Sequence, residues 1–128
     1  MANELSVTAS ISYEKANHTL SFNPPAEQVD VSGDLYSAGV QNVPASGEGE
    51  ALTLNDLSAG NQGWAWFQNI GTDSSTHVSI GPRDGSGNFV ECFQLKGGEF
   101  AIMRLGDQAL YAKASASTLD IFYSIIQA

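Results

Sequence analysis

The feature that most constrains this chain is hydrophobic alternation with a period of two, cut at short intervals by turn chemistry. Leu5, Val7, Ala9, Ile11 and Tyr13 alternate with Ser6, Thr8, Ser10 and Ser12. Successive side chains of a strand point to opposite faces, so this run reads as one half-buried first strand. Leu20 and Phe22 make a short second strand stopped by Pro24-Pro25, and Val29 and Val31 a third, closed by Gly33-Asp34. A looser run from Tyr36 to Val43 ends at Pro44, and residues 45–50 have loop composition. Leu52 and Leu54 precede a turn-rich stretch over 55–63, and a helix over 48–57 is the one helical alternative.

The second half keeps the same rhythm. Residues 63–69, Gly-Trp-Ala-Trp-Phe-Gln-Asn, are strongly β-prone, and the turn at 71–75 leads to a strand holding Val78 and Ile80. A loop over 81–87 precedes a strand from Phe89 to Leu95, and Gly97-Gly98 signals a hairpin into residues 100–105. Gly106-Asp107 turns the chain toward residues 110–114, and Leu119, Ile121, Tyr123 and Ile125 alternate in the last strand. Nine or ten short strands at near-regular spacing predict an all-β fold, an antiparallel β-sandwich or jelly-roll-like barrel. Residues 1–128 read as a single β domain, with 1–13 either its first strand or an extended N-terminal arm.

Length and charge narrow the function. A chain of 128 residues buries about two-thirds of its unfolded surface, enough for one core without staples. Its net charge is −9, from 14 acids and 5 bases. Lys15, Arg83, Lys96, Arg104 and Lys113 are scattered, so no basic cluster follows a phosphate backbone, and neither nucleic acid nor an anionic membrane is an expected partner. The first residues lack a basic and apolar leader pattern, and no apolar run is long enough for a membrane helix, so synthesis in the cytoplasm is expected. Cys92, the single cysteine, lies in an alternating run and reads as a small buried hydrophobe.

No constellation of catalytic type emerges. His18 and His77 are far apart in sequence, so no His-x-His metal pair exists, and one cysteine excludes a Cys/His zinc site. Asp84-Gly-Ser-Gly-Asn88 offers alternating oxygens, but Phe89 and Leu95 stand where a helix–loop–helix calcium loop needs Gly and Glu. Glu91 and Glu99 face each other across the predicted hairpin only as solvent-facing strand residues. No Gly-x-Ser-x-Gly elbow is present, and Gly97-Gly98-Glu99 lacks the lysine of a phosphate loop. Catalytic, cofactor and metal residues are therefore not expected, and the chain reads as non-enzymatic. Trp64 and Trp66, at i and i+2, point to one face. They form either a core or subunit contact or a ligand platform on which sugar rings stack, with Tyr36 or Tyr111 as helpers.

Several segments of the second half resemble small virion proteins of tailed bacteriophages: Asn69-Ile-Gly-Thr-Asp, His77-Val-Ser-Ile-Gly-Pro, Phe93-Gln-Leu-Lys-Gly-Gly-Glu-Phe-Ala-Ile-Met-Arg-Leu, Leu110-Tyr-Ala-Lys-Ala and Leu119-Asp-Ile-Phe-Tyr. The resemblance spans roughly residues 64–126 and is one of rhythm rather than of a diagnostic motif. It implies a jelly-roll-like β domain and a structural role, in its sharpest form a capsid decoration (cement) protein on the outside of the phage head. The implied partners are the major capsid protein and further copies of the chain. A neck, tail or fibre component is the nearest alternative, and a carbohydrate-binding β module using Trp64 and Trp66 is the alternative from another class. Leu5, Val7, Ala9 and Ile11 are the candidate segment for adding a strand to a neighbour's sheet edge. A plain first strand of the sandwich is the competing reading of that segment.

Overall fold

Pro24 and Pro25 decide how the first part of the chain pairs. In the computed structural model, which describes residues 5–29, 31, 35–54 and 57–127, the chain divides into two compact units, Met1–Asp34 and Leu35–Gln127. The smaller unit contains β1 (Leu5–Val7), β2 (Ile11–Lys15), β3 (His18–Phe22) and β4 (Glu27–Val29). Strands β2 and β3 pair antiparallel, with Ile11 opposite Phe22, Tyr13 opposite Leu20 and Lys15 opposite His18. Ala16 (φ 48°) and Asn17 (φ 70°) turn between them, the two positive φ angles that a type I′ hairpin turn demands. Strand β1 pairs with β4, Leu5 opposite Val29 and Val7 opposite Glu27.

The two pairs are nested, β2·β3 inside β1·β4, and the ladder is interrupted at residues 8–10 and 23–26. Proline has no N–H to give a ladder, so the predicted strand from Leu5 to Tyr13 is two strands instead of one. Val31 falls outside β4, and the turn predicted at Gly33-Asp34 lies outside the described residues.

The larger unit is built from eight strands: β5 (Tyr36–Val43), β6 (Glu50–Ala51), β7 (Gln62–Asn69), β8 (His77–Gly81), β9 (Phe93–Lys96), β10 (Phe100–Arg104), β11 (Tyr111–Ala114) and β12 (Leu119–Gln127). Their antiparallel pairs also nest, β8·β9 innermost, then β7·β10, β6·β11 and β5·β12. Further pairing of β12 with β7 and of β11 with β8 gives two four-stranded sheets, ordered β10-β7-β12-β5 and β6-β11-β8-β9. The fold is an antiparallel β-sandwich, not a closed barrel. Phe67, Ile121, Tyr123 and Ile125 from one sheet meet Val78, Ile80, Leu95, Ala112 and Ala114 from the other in a single buried cluster. The Phe67 and Phe93 rings pack across it at 5.9 Å.

Three predicted elements differ in detail. The helical alternative over 48–57 is absent from the described part of that span, which holds β6 and a backbone bond from Leu52 N–H to the Leu110 carbonyl. Gly97-Gly98 makes a tight turn, Glu99 N–H donating to the Lys96 carbonyl at 2.9 Å with Gly98 at φ 85°, yet it does not close a hairpin. Strand β9 belongs to one sheet and β10 to the other, so the turn carries the chain around the edge of the sandwich. A Cβ on Gly97 would lie 2.8 Å from the Asp73 backbone, which explains the glycine as a close approach. The strand predicted from Phe89 begins only at Phe93. Before it, Val90 N–H donates to the Pro82 carbonyl and Cys92 N–H to that of Ile80. Glu91 and Cys92 are both exposed in succession. That slip in alternation places the Cys92 thiol at the surface and corrects the buried reading.

Asn69, 1% exposed, ties the sheets together at the end of β7. Its side-chain amide donates to the Leu95 carbonyl of β9 at 2.9 Å, and its carbonyl oxygen accepts from Gly71 N–H at 3.0 Å. Its own backbone N–H and carbonyl pair with Glu99 and Gly98. Removing a partner from a buried polar group costs about 1–3 kcal/mol per orphan. Asn69→Ala is expected to lower the melting temperature by roughly 10 °C or more while the variant stays β-rich by circular dichroism. A change within a degree or two in a thermal scan contradicts the tie.

Candidate interaction surface

Strand parity sorts the side chains of the β10-β7-β12-β5 sheet onto two faces. Residues 65, 67 and 69 of β7 and 121, 123 and 125 of β12 point inward and are buried. Most outward residues fall into three transverse rows fixed by the ladder register, bordered on the same face by the exposed, hydrogen-bonded pair Asp120 and Asn42. The first row is Arg104, Trp64, Ile126 and Tyr36; the second is Ile102, Trp66, Ser124 and Ala38; the third is Phe100, Gln68, Phe122 and Val40. Nine of these twelve side chains are apolar or aromatic, and none is acidic, in a chain with 14 acids. Tyr36 (69%), Val40 (61%) and Phe100 (56%) are largely exposed.

Trp64 and Trp66 do share a face, opposite the buried Ala65 and Phe67. Both indoles are half-buried. Trp66 stacks on Phe100 across the β7·β10 pair, ring centroids 4.7 Å apart and planes 4° off parallel. The Trp64 indole N–H is shielded from solvent and has no acceptor. Tyr36 lies in the same row as Trp64, with Ile126 between them. Tyr111 is elsewhere, on β11 in the second sheet, with the Arg83 guanidinium 4.1 Å above its ring. Arg83 also donates to the Glu48 and Gly49 carbonyls, so Tyr111 serves to hold a loop.

The outward face of the second sheet has ordinary polar chemistry. His77, Ser79, Gln94, Lys96 and Lys113 share its outward side with Tyr111, Gly81 and Ala51. An open cleft of about 470 Å³ is lined there by His77, Ser79, Phe89, Glu91, Lys113 and Ser115, among others. The Ser115 hydroxyl accepts from the His77 backbone N–H at 2.9 Å. Glu91 and Glu99 do not oppose each other across a hairpin: Glu91 precedes β9, and Glu99 closes the Gly97-Gly98 turn by accepting from Lys96 N–H at 2.8 Å. Among the described residues no three His, Cys, Asp or Glu side chains gather as a metal site.

A second apolar surface lies on the β2·β3 ribbon. Ile11, Phe22, Tyr13 and Leu20 form two opposed pairs on one face, continued at the turn end by Lys15 and His18, with Ser12, Ser21, Glu14 and Thr19 on the other. The four apolar side chains are 51–62% exposed. The candidate strand-addition segment is thus divided: Leu5 and Val7 pair with β4, Ile11 with β3, and Ala9 lies in the interruption. Sequence reasoning missed this ribbon face, although Ile11, Tyr13, Leu20 and Phe22 all carried the alternation. The signal available was the Ala16-Asn17 pair, which sets the register that places them together.

The loop at Asp84–Asn88 is organised by its own carboxylate. Asp84 Oδ1 accepts from the Asn88 and Ser86 backbone N–H groups, each at 2.9 Å. These bonds, that of Asn88 first, favour the ionised form and hold the carboxyl below the ordinary 3.8. Because the folded value is depressed, the turn is held at pH above the ordinary value and loosens as pH falls through the lowered one. In an NMR titration the Asn88 and Ser86 amide protons should shift together with a midpoint below 3.8, and Asp84→Asn should abolish that step. A midpoint at or above the ordinary value contradicts the assignment.

Compared with protein-family models, curated proteins and solved structures, the chain gives no match.

Proposed function

We propose that this chain is a non-enzymatic structural subunit of a tailed-phage virion, a capsid decoration protein on the outer surface of the head. Its partners in this reading are the major capsid protein and other copies of itself. The supporting observation is the outward face of the β10-β7-β12-β5 sheet, where nine of the twelve side chains in its three central rows are apolar or aromatic. A contiguous exposed apolar surface of that kind marks a protein contact. The opposite outward face is polar, so the asymmetry belongs to one side of the sandwich.

Two further points favour the reading. The nested pairs of β5–β12, alternating between two four-stranded sheets, have the order of a jelly roll, the architecture of many capsid proteins. The resemblance over roughly residues 64–126 implies the same class of protein. A decoration protein needs no cofactor, because many weak contacts repeated over a shell supply avidity. The carbohydrate module has less open indole to work with, since Trp64 and Trp66 are half-buried and one face of Trp66 is occupied by Phe100.

Quantitative peptide mass spectrometry of purified particles tests the reading. One copy per shell subunit, or a simple fraction of it, is the expected result. A dozen copies or fewer would move the chain to the neck, tail or fibre, and absence from particles would overturn the virion reading. A glycan-induced shift of the tryptophan emission would favour the carbohydrate module instead; no shift is expected.

A further inference from the structure

We infer that the cleft on the outward side of the β6-β11-β8-β9 sheet is a binding site for a neutral saccharide. The sheet supplies Ser79 of β8 directly opposite Lys113 of β11, and the Cβ atoms of such a pair lie about 5 Å apart. His77 stands two residues before Ser79 on the same face, its backbone N–H held by the Ser115 hydroxyl. The segment before β9 supplies Phe89 and Glu91. Backbone bonds fix that segment: the Glu48 carboxylate accepts from Phe89 N–H at 2.7 Å, and the Pro82 and Ile80 carbonyls accept from Val90 and Cys92 N–H, each at 2.9 Å. Gly81 permits the approach, since a Cβ there would collide with the Val90 carbonyl. The cleft is therefore preformed, and a ligand has little left to order.

Ser79 is the residue that points to a ligand. It is only 7% exposed and lines the cleft, yet its hydroxyl has no hydrogen bond among the described residues. The other buried polar side chains, Ser37, Gln62 and Asn69, are all bonded, as buried polar groups are as a rule. Charge decides the class of ligand. Lys113 and Glu91 line one cleft and, among the described residues, form no ion pair with each other. An anion would meet Glu91 and a cation would meet Lys113, whereas sugar hydroxyls accept from the ammonium and donate to the carboxylate. Phe89 offers an apolar ring to the C–H face of a sugar, a surface that a zwitterion such as glycine leaves unused. The volume of about 470 Å³ lies within the roughly 300–1,000 Å³ of small-molecule sites.

The site lies on the sheet opposite the one that carries Trp64 and Trp66, and it does not rest on the virion reading. Its test is a ¹H–¹⁵N NMR titration of the full chain with glucose, galactose, mannose and N-acetylglucosamine, beside glycine and acetate. A ligand of a dozen heavy atoms binds at about 1 mM at ordinary efficiency. At least one saccharide is expected to shift the His77, Ser79 and Lys113 amides to saturation, independently of salt, while the two indole N–H signals stay in place. Ser79→Ala and, separately, Glu91→Gln should each weaken that binding roughly three- to tenfold. Glu91 is exposed, so its variant reports on binding even where Ser79→Ala disturbs the sheet. No saturable shift with any saccharide, saturation by glycine or acetate alone, or movement of the indoles in place of the cleft amides overturns the inference. So does a saccharide that binds both variants as tightly as the parent chain. Copy number in particles is read separately, so either reading can fail without the other.

Discussion

One sheet of this sandwich has to satisfy two apolar faces at once, and most of the architecture follows from that constraint. Strands β7 and β12 alternate between inward residues such as Phe67, Ile121 and Ile125 and outward ones such as Trp66, Phe122 and Ile126. Antiparallel sheets normally leave one face to water and read as apolar–polar alternation. Here the inner face is closed by β8, β9 and β11 of the opposing sheet. The outer face is left to whatever the chain meets.

The nested pairing explains how so short a sequence builds that double-faced sheet. Each strand finds its partner at a steadily growing separation, from β8·β9 out to β5·β12. Alternate pairs fall in opposite sheets, so every crossover needs a local device. Gly97-Gly98 and the close approach to Asp73 serve at one corner. At another, the Thr53 carbonyl accepts from both Ser37 Oγ and Tyr123 OH at 2.7 Å, which anchors the segment after β6 to β5 and β12. The few buried polar side chains include Ser37 and Asn69, and both are bonded where the chain passes from one sheet to the other, because buried polar groups without partners are costly.

The two outward faces of the sandwich differ in chemistry. Two lysines, a histidine and a glutamine stand on the outward side of the second sheet, and the cation–π contact of Arg83 with Tyr111 there fixes a loop. The three rows around the tryptophans hold no acid, and Asp120 with Asn42 borders them on the same face. Depletion of charge around central aromatic residues is the composition that interface cores share. In the smaller unit the β2·β3 ribbon is likewise two-faced, with Ile11, Tyr13, Leu20 and Phe22 on one side and Ser12, Glu14, Thr19 and Ser21 on the other.

Alternation and turn residues alone determined the class of fold, most of the strands, and the shared face of Trp64 and Trp66. Those properties are local, since side-chain parity and the chemistry of Gly, Pro and Asn act within a few residues. The elements misread were the ones decided by distant partners. Pro24-Pro25 split a strand more than ten residues away by withholding donors from its ladder. Gly97-Gly98 resembles a hairpin turn, yet β9 and β10 part into different sheets because each has a longer partner waiting. Cys92 became exposed when the chain slipped beside β8. Above all, which face of β7 meets the core is invisible to a period of two, because both its faces are apolar. Only the register across four strands gathers Tyr36, Phe100 and the two tryptophans into one surface and leaves it outward.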